Sequence, residues 1–179
     1  MFVFILIFIN ILFFILIPYS SYDIFGLNIL FFKEDFYWQI LSSMFLHADL
    51  THLILNMIVL FQFGLILEKQ IKALNFILLY FIGGMATSIL SLFYIYFAYI
   101  YFNQTINLIG ASGAICVLMG YFAFLNKNST KGLIVALLLM SFVPLLMGIN
   151  IAWYGHIFGF VCGYIFAKLK NNFKIFKKY

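Results

Sequence analysis

The chain has 179 residues, of which 66% are hydrophobic, 22% aromatic and only 8% charged. That balance excludes a water-soluble domain of this size, whose exterior needs far more polar side chains. The net charge of +5 comes from ten lysines and no arginine against five acids, and by itself it would admit a nucleic-acid surface.

Apolar runs at about 2–17, 50–67, 74–98, 112–125, 132–147 and 153–168 predict six transmembrane helices. A crossing takes roughly 20 residues, with a range of about 17–25, so the first run and the last three are short. Backbone in lipid must satisfy its own hydrogen bonds, which makes these segments helices. Their lack of apolar–polar alternation argues against a barrel. The fold class expected is an all-α integral membrane protein, with one membrane domain over 1–179. The motif-bearing core runs over about 36–168 and a basic tail over 169–179.

Run 2–17 has no basic leader and no small-residue cleavage site before Pro18, so it reads as a retained helix rather than a signal peptide. The stretch 18–47 then carries Phe25, Phe31, Phe32, Phe36, Tyr37 and Trp38. It is too apolar for a solvated loop and is expected to lie in the membrane, at the interface. With six spans, every lysine except Lys33 falls on one face, at 68–73, at 126–131 and in the tail. Asp23, Glu34, Asp35 and Asp49 fall on the other. This asymmetry puts the C-terminus in the cytoplasm. It makes the tail a topology anchor, so no nucleic-acid partner is expected. Cys116 and Cys162 sit within apolar runs as small hydrophobes. Neither a disulfide framework nor zinc-ligand spacing occurs.

Polar residues inside spans are costly and often functional. Ser88, Ser91 and Ser141 are assigned to bonds with their own helix backbone, and Asn10 to a neighbouring helix. His52 and Asn56, four apart, share one helix face. They are either two donors converging on a small group or an interhelical clasp. Asp49 reads as the N-cap of their helix. Ser112 lies in Gly110-Ala111-Ser112-Gly113 at the start of the fourth run. Its helix, about 21 Å long against a hydrocarbon core of about 30 Å, sets Ser112 below the outer surface. The stretch 103–111 must then enter the membrane as irregular backbone lined by protein or water. Free N–H groups at such a helix start suit a developing oxyanion. His156 opens the sixth run, where Gly155, Gly159 and Gly163 repeat every four residues. That stripe permits close approach to Gly113 and Gly120 of the fourth, bringing His156 toward Ser112. No carboxylate lies deep in a span, so any catalysis uses a Ser–His dyad.

Together these residues resemble the rhomboid family of intramembrane serine proteases, of the bacterial six-helix type. Phe45-Leu46-His47, His52-Leu53 and Asn56-Met57 are similar to its second-helix motif. Gly64 and Glu68 resemble the glycine and acid that follow. Gly110-Ala111-Ser112-Gly113 is similar to the nucleophile motif, and His156, Gly159 and Gly163 to the base motif. The likeness runs from Trp38 to Gly163. It implies a rhomboid-like bundle that cuts peptide bonds in or near transmembrane segments of other proteins. Ser112 would be the nucleophile and His156 the base, with His52, Asn56 and the Ser112 N–H as oxyanion donors. It implies no metal and no cofactor. The partners implied are transmembrane protein substrates and membrane lipids, in a prokaryotic inner membrane, and the oligomeric state is left open. The fifth helix, with Pro144, would be the gate, with 148–154 as its cap.

Three positions depart from the family pattern. Gln39 replaces an arginine, which implies a looser first loop. Cys116 replaces an aromatic that stacks on the base, which implies a less firmly held His156. Phe158 replaces a small residue, against close packing. A non-catalytic relative that binds membrane clients is the alternative. A haem or metal protein using His47, His52 and His156 is a remote one, and a transporter a third.

Overall fold

The computed structural model describes residues 1–176. Six long helices form where the apolar runs lie. They are α1 (Phe2–Leu16), α2 (Leu50–Ile71), α3 (Ala73–Phe102), α4 (Ser112–Leu125), α5 (Thr130–Leu146) and α6 (Trp153–Phe176). By length and composition α2, α3 and α5 with its preceding turn can each cross a membrane. A fourth span results if α1 and Tyr19–Phe25, bent by 100° at a break, count as one. At 14 residues α4 is shorter than a crossing.

Two boundaries differ from the sequence reading. The stretch 68–73 is not a loop, because α2 and α3 are separated by Lys72 alone, whose φ of 71° reverses the chain in one residue. Helix α6 also continues to Phe176, through most of the expected tail. Lys177, Lys178 and Tyr179, the rest of that tail, lie outside the described residues.

A buried carboxylate fastens α1 to α2. Glu68 accepts from the Phe2 N–H at 2.8 Å and the Val3 N–H at 3.0 Å. It thereby satisfies orphan donors of α1 and meets the positive end of its dipole. The start of α1 and the end of α2 therefore share a face. Asn10 turns its amide back to Leu6 O at 2.8 Å, within its own helix.

Helix α4 is the centre of the bundle, with nine of its residues buried, from Ala114 through Tyr121 and again at Ala123. It meets α6 backbone to backbone. A Cβ on Gly120 would lie 1.9 Å from Phe160 O, one on Gly163 1.9 Å from Val117 O, and one on Gly159 2.3 Å from Gly113 O. Such proximity is how helices associate in lipid, where packing replaces the hydrophobic effect. Gly155 is not part of this seam, since its added Cβ would first meet Leu108 at 3.5 Å and Ser91 at 3.6 Å. Phe158 does not prevent the crossing and packs edge-on to Tyr154. Helix α5 is the most weakly held, with only Leu137 and Ser141 buried.

Gly120→Ala is expected to destabilise the bundle by about 1–3 kcal/mol, because a methyl group there has only backbone to displace. Gly132, on α5, has nothing within 4 Å of an added Cβ. Gly132→Ala should leave stability unchanged or raise it by up to about 1 kcal/mol through helix propensity. Unfolding of the two variants in detergent checks the contrast.

Candidate functional site

The site is assembled from the start of α4, the start of α6, the first turns of α2 and one residue of α5. Residues 18–47 carry short helices at Tyr19–Ser21, Tyr22–Phe25, Leu30–Lys33, Gln39–Ser42 and Ser43–Phe45. Gln39 ties them together. It is fully buried, its amide donates to Asp23 O at 3.1 Å and Ile24 O at 3.2 Å, and its Oε1 accepts from the Asn28 N–H at 3.2 Å. A neutral amide thus crosslinks this loop at the position where the family pattern has an arginine.

The loop in turn holds the irregular segment that leads to Ser112. Leu27 and Leu108 exchange backbone hydrogen bonds of 2.9 and 2.8 Å. Asn107 donates to Tyr22 O at 2.9 Å, and the Gly110 N–H donates to Ser43 O at 2.9 Å. Gly110 has φ +123°, and a Cβ there would stand 3.0 Å from His52 Cε1. This position thus needs glycine both for its backbone and for its space.

Ser112 is the first residue of α4, half-buried, with no side chain capping the helix. His156 Nε2 lies 3.0 Å from Ser112 Oγ, and His156 Nδ1 lies 3.1 Å from Ser141 Oγ. Ser141 was assigned to its own backbone, and the structure gives it a partner on another helix instead. Nothing in the apolar run 132–147 sets Ser141 apart, and its burial beside Leu137 is visible only in the structure. With both ring nitrogens engaged, His156 is firmly held, although Cys116 supplies no aromatic ring beneath it.

His52 is half-buried on α2, whose N-cap is Asp49, as expected from its place. His52 Nδ1 accepts from the Ala48 N–H at 3.4 Å. This leaves the proton on Nε2, which would lie 3.1 Å from a Cβ on Gly110. Asn56, one turn on, donates to His52 O at 3.0 Å and keeps a second amide hydrogen. The structure thus brings Ser112, His156 and the edge of His52 together, while the one bond from Asn56 runs to His52. A cavity of about 20 Å³, large enough for one water, adjoins Ser112. Its walls include Ser43, Thr87, Ser88, Ser91 and Gly110. The buried Ser43 Oγ has no protein partner. Among the described residues, no three His, Cys, Asp or Glu side chains converge as a metal site.

The model of the Rhomboid domain family matches residues 34–172. The chain belongs to the rhomboid family. It is 34% identical over 140 residues to "RHOMBOID-like protein 6, mitochondrial" of Arabidopsis thaliana, covering 71% of this chain and 41% of that protein. It is 32% identical over 144 residues to "RHOMBOID-like protein 4" of the same plant, covering 74% and 34%. It is 29% identical over 142 residues to "Putative rhomboid protease YdcA" of Bacillus subtilis (strain 168), covering 74% and 67%. The alignments thus span about 40% or less of the two plant relatives' lengths. With several helices able to cross a bilayer, this rhomboid is a multi-pass membrane protein.

Beside the rhomboid site, His47 is fully buried in the turn before α2. Its Nδ1 lies 3.3 Å from Phe45 O and its ring stands edge-on to His52 at 5.1 Å. Burial, then the neighbouring His52, pushes its pKa down from 6.5 to about 4. The unfolded chain therefore takes up a proton near pH 6.5 that the folded chain refuses until about pH 4. Stability is full above pH 6.5 and falls as pH drops through that window, by about 3 kcal/mol at its lower end. A His47→Gln variant should lose less stability between pH 7.5 and 4.5 than the wild type, as read from unfolding curves at each pH.

Proposed function

We propose that this rhomboid is an intramembrane serine endopeptidase that cuts peptide bonds in or near transmembrane segments of other membrane proteins. The observation that carries the reading is the 3.0 Å contact between His156 Nε2 and Ser112 Oγ at the start of a buried helix. Nucleophile and base within hydrogen-bond reach are the mark of an activated hydroxyl.

In the proposed reaction His156 Nε2 takes the Ser112 hydroxyl proton as Oγ bonds to the scissile carbonyl carbon. The carbonyl oxygen becomes an oxyanion. The Ser112 N–H, His52 Nε2–H and the second amide hydrogen of Asn56 stabilise it as donors in a place of low dielectric. His156 then gives its proton to the leaving amine, and an acyl-Ser112 ester remains. Water attacks that ester, losing its proton to His156; as the carbonyl C–Oγ bond breaks, His156 returns that proton to Ser112 Oγ and the new carboxyl terminus leaves. The hydroxyl-lined cavity beside Ser112 offers that water a place.

The proposed topology has six spans, with 18–47 embedded at the outer face and the C-terminus in the cytoplasm. Glu68 joining the start of α1 to the end of α2 supports it, since both ends then lie on the lysine-rich side. The proposed domain is single over 1–179, with its working core at about 36–168. A prokaryotic inner membrane is the proposed location. Helix α5, the least buried, is the proposed gate for substrate, and the apolar exterior makes lipids its surroundings.

Coexpression with a tagged single-span reporter tests the function. Wild type should cleave it. Ser112→Ala and His156→Ala should each lower the rate by about a thousandfold or more. His52→Ala and Asn56→Ala should lower it by about 10²–10³. Full cleavage by Ser112→Ala would contradict the mechanism.

A further inference from the structure

The reaction just proposed needs His156 in one tautomer. To accept the Ser112 proton, Nε2 must carry the lone pair, so the neutral ring must hold its proton on Nδ1. In hydrolase triads a buried carboxylate accepts from that N–H and fixes the ring. Among the described residues no Asp or Glu is bonded to His156, and its Nδ1 meets Ser141 Oγ at 3.1 Å instead.

Ser141 is unusual in this chain. A serine inside a helix normally donates to a carbonyl one turn back. Ser91 does so, to Thr87 O at 2.8 Å. Ser141 is fully buried, on a helix with only one other buried residue, Leu137, and it is directed across to α6. Cys116, fully buried, supplies no ring to stack on the imidazole. The burden of orientation therefore falls on the α5 hydroxyl.

We infer that Ser141 is the positioning residue of the site, a third member whose Oγ accepts the Nδ1–H of His156 and selects its base-competent tautomer. The inference rests on the protease reading. When His156 takes the proton of Ser112, Nδ1–H stays bonded to Ser141, so the same contact holds the imidazolium during the step. Ser141 touches neither substrate nor the reacting atoms, and its effect is on the chemical step rather than on substrate binding.

The test compares wild type with Ser141→Ala, Ser141→Cys and Ser141→Thr in purified, folded protein. It measures reporter kcat and KM and the rate at which a fluorophosphonate modifies Ser112, a reaction that needs the base but no transmembrane substrate. Ser141→Ala should lower kcat and the labelling rate about tenfold, the worth of one hydrogen bond to a group that becomes charged, with KM unchanged. Ser141→Cys, close to serine in size but a weak acceptor, should be as slow as alanine. Ser141→Thr, which keeps the hydroxyl, should label within about twofold of wild type. Labelling of both Ser141→Ala and Ser141→Cys at the wild-type rate would overturn the role of Ser141 alone. A slow alanine beside a fast cysteine would reduce it to a space-filling role. A wild type that neither labels nor cleaves would remove the protease reading, and this inference with it.

Discussion

The backbone contact between α4 and α6 is the constraint on which the rest depends. Gly159 meets Gly113 O and Gly163 meets Val117 O, so both helices advance by one turn together. That register requires the two helices to run parallel, and it sets their first residues side by side. Ser112 and His156, 44 positions apart in the chain, thereby come within 3.0 Å. A side chain at Gly120, Gly159 or Gly163 would collide with the backbone of the facing helix and push the two apart. In a site where reacting atoms must lie about 3–3.5 Å apart, such a shift costs the geometry before it costs the fold.

The second constraint is vertical. Helix α4 is too short to cross a bilayer, so something must carry the chain to its start. The segment before Ser112 does this as irregular backbone whose polar groups are answered by the first loop, through Leu27, Tyr22 and Ser43. Gln39 and Asn28 in turn lock that loop. The loop thus answers the hydrogen-bonding groups of the non-helical backbone that leads to Ser112. Beside this centre α5 is the least buried helix, anchored at Leu137 and Ser141, which is why it is the proposed gate.

Much of this was legible in the residues. Six apolar runs marked six helices because lipid demands unbroken helical backbone, and the glycines at 113, 120, 159 and 163 marked the crossing because only close packing rewards them. Ser112, His156 and His52 stand out because polar groups within apolar runs are rare, and the structure sets them near one another. Ser141 was hidden, since a serine in a helix has a cheap local partner and only tertiary geometry shows when that partner is refused. At Gln39 the sequence shows the loss of a charge, while the carbonyls of residues 23 and 24 that accept its amide are visible only in the fold. The stretch 68–73 read as a loop because lysines cluster there, although lysines are good helix formers and Lys72 alone breaks the helix. Gly155 keeps the period of the stripe while facing Ser91 of α3 and Leu108 of the segment before Ser112, which periodicity cannot separate from the seam.

Mapping of a covalent adduct tests the central claim most directly. Purified, folded protein would be treated with a fluorophosphonate, digested and read by mass spectrometry, for wild type and for His156→Ala. The account predicts an adduct on the peptide containing Ser112 in wild type and none in His156→Ala, where the serine is present but its base is gone. An adduct on another residue, or one on Ser112 that forms equally fast without His156, would contradict it.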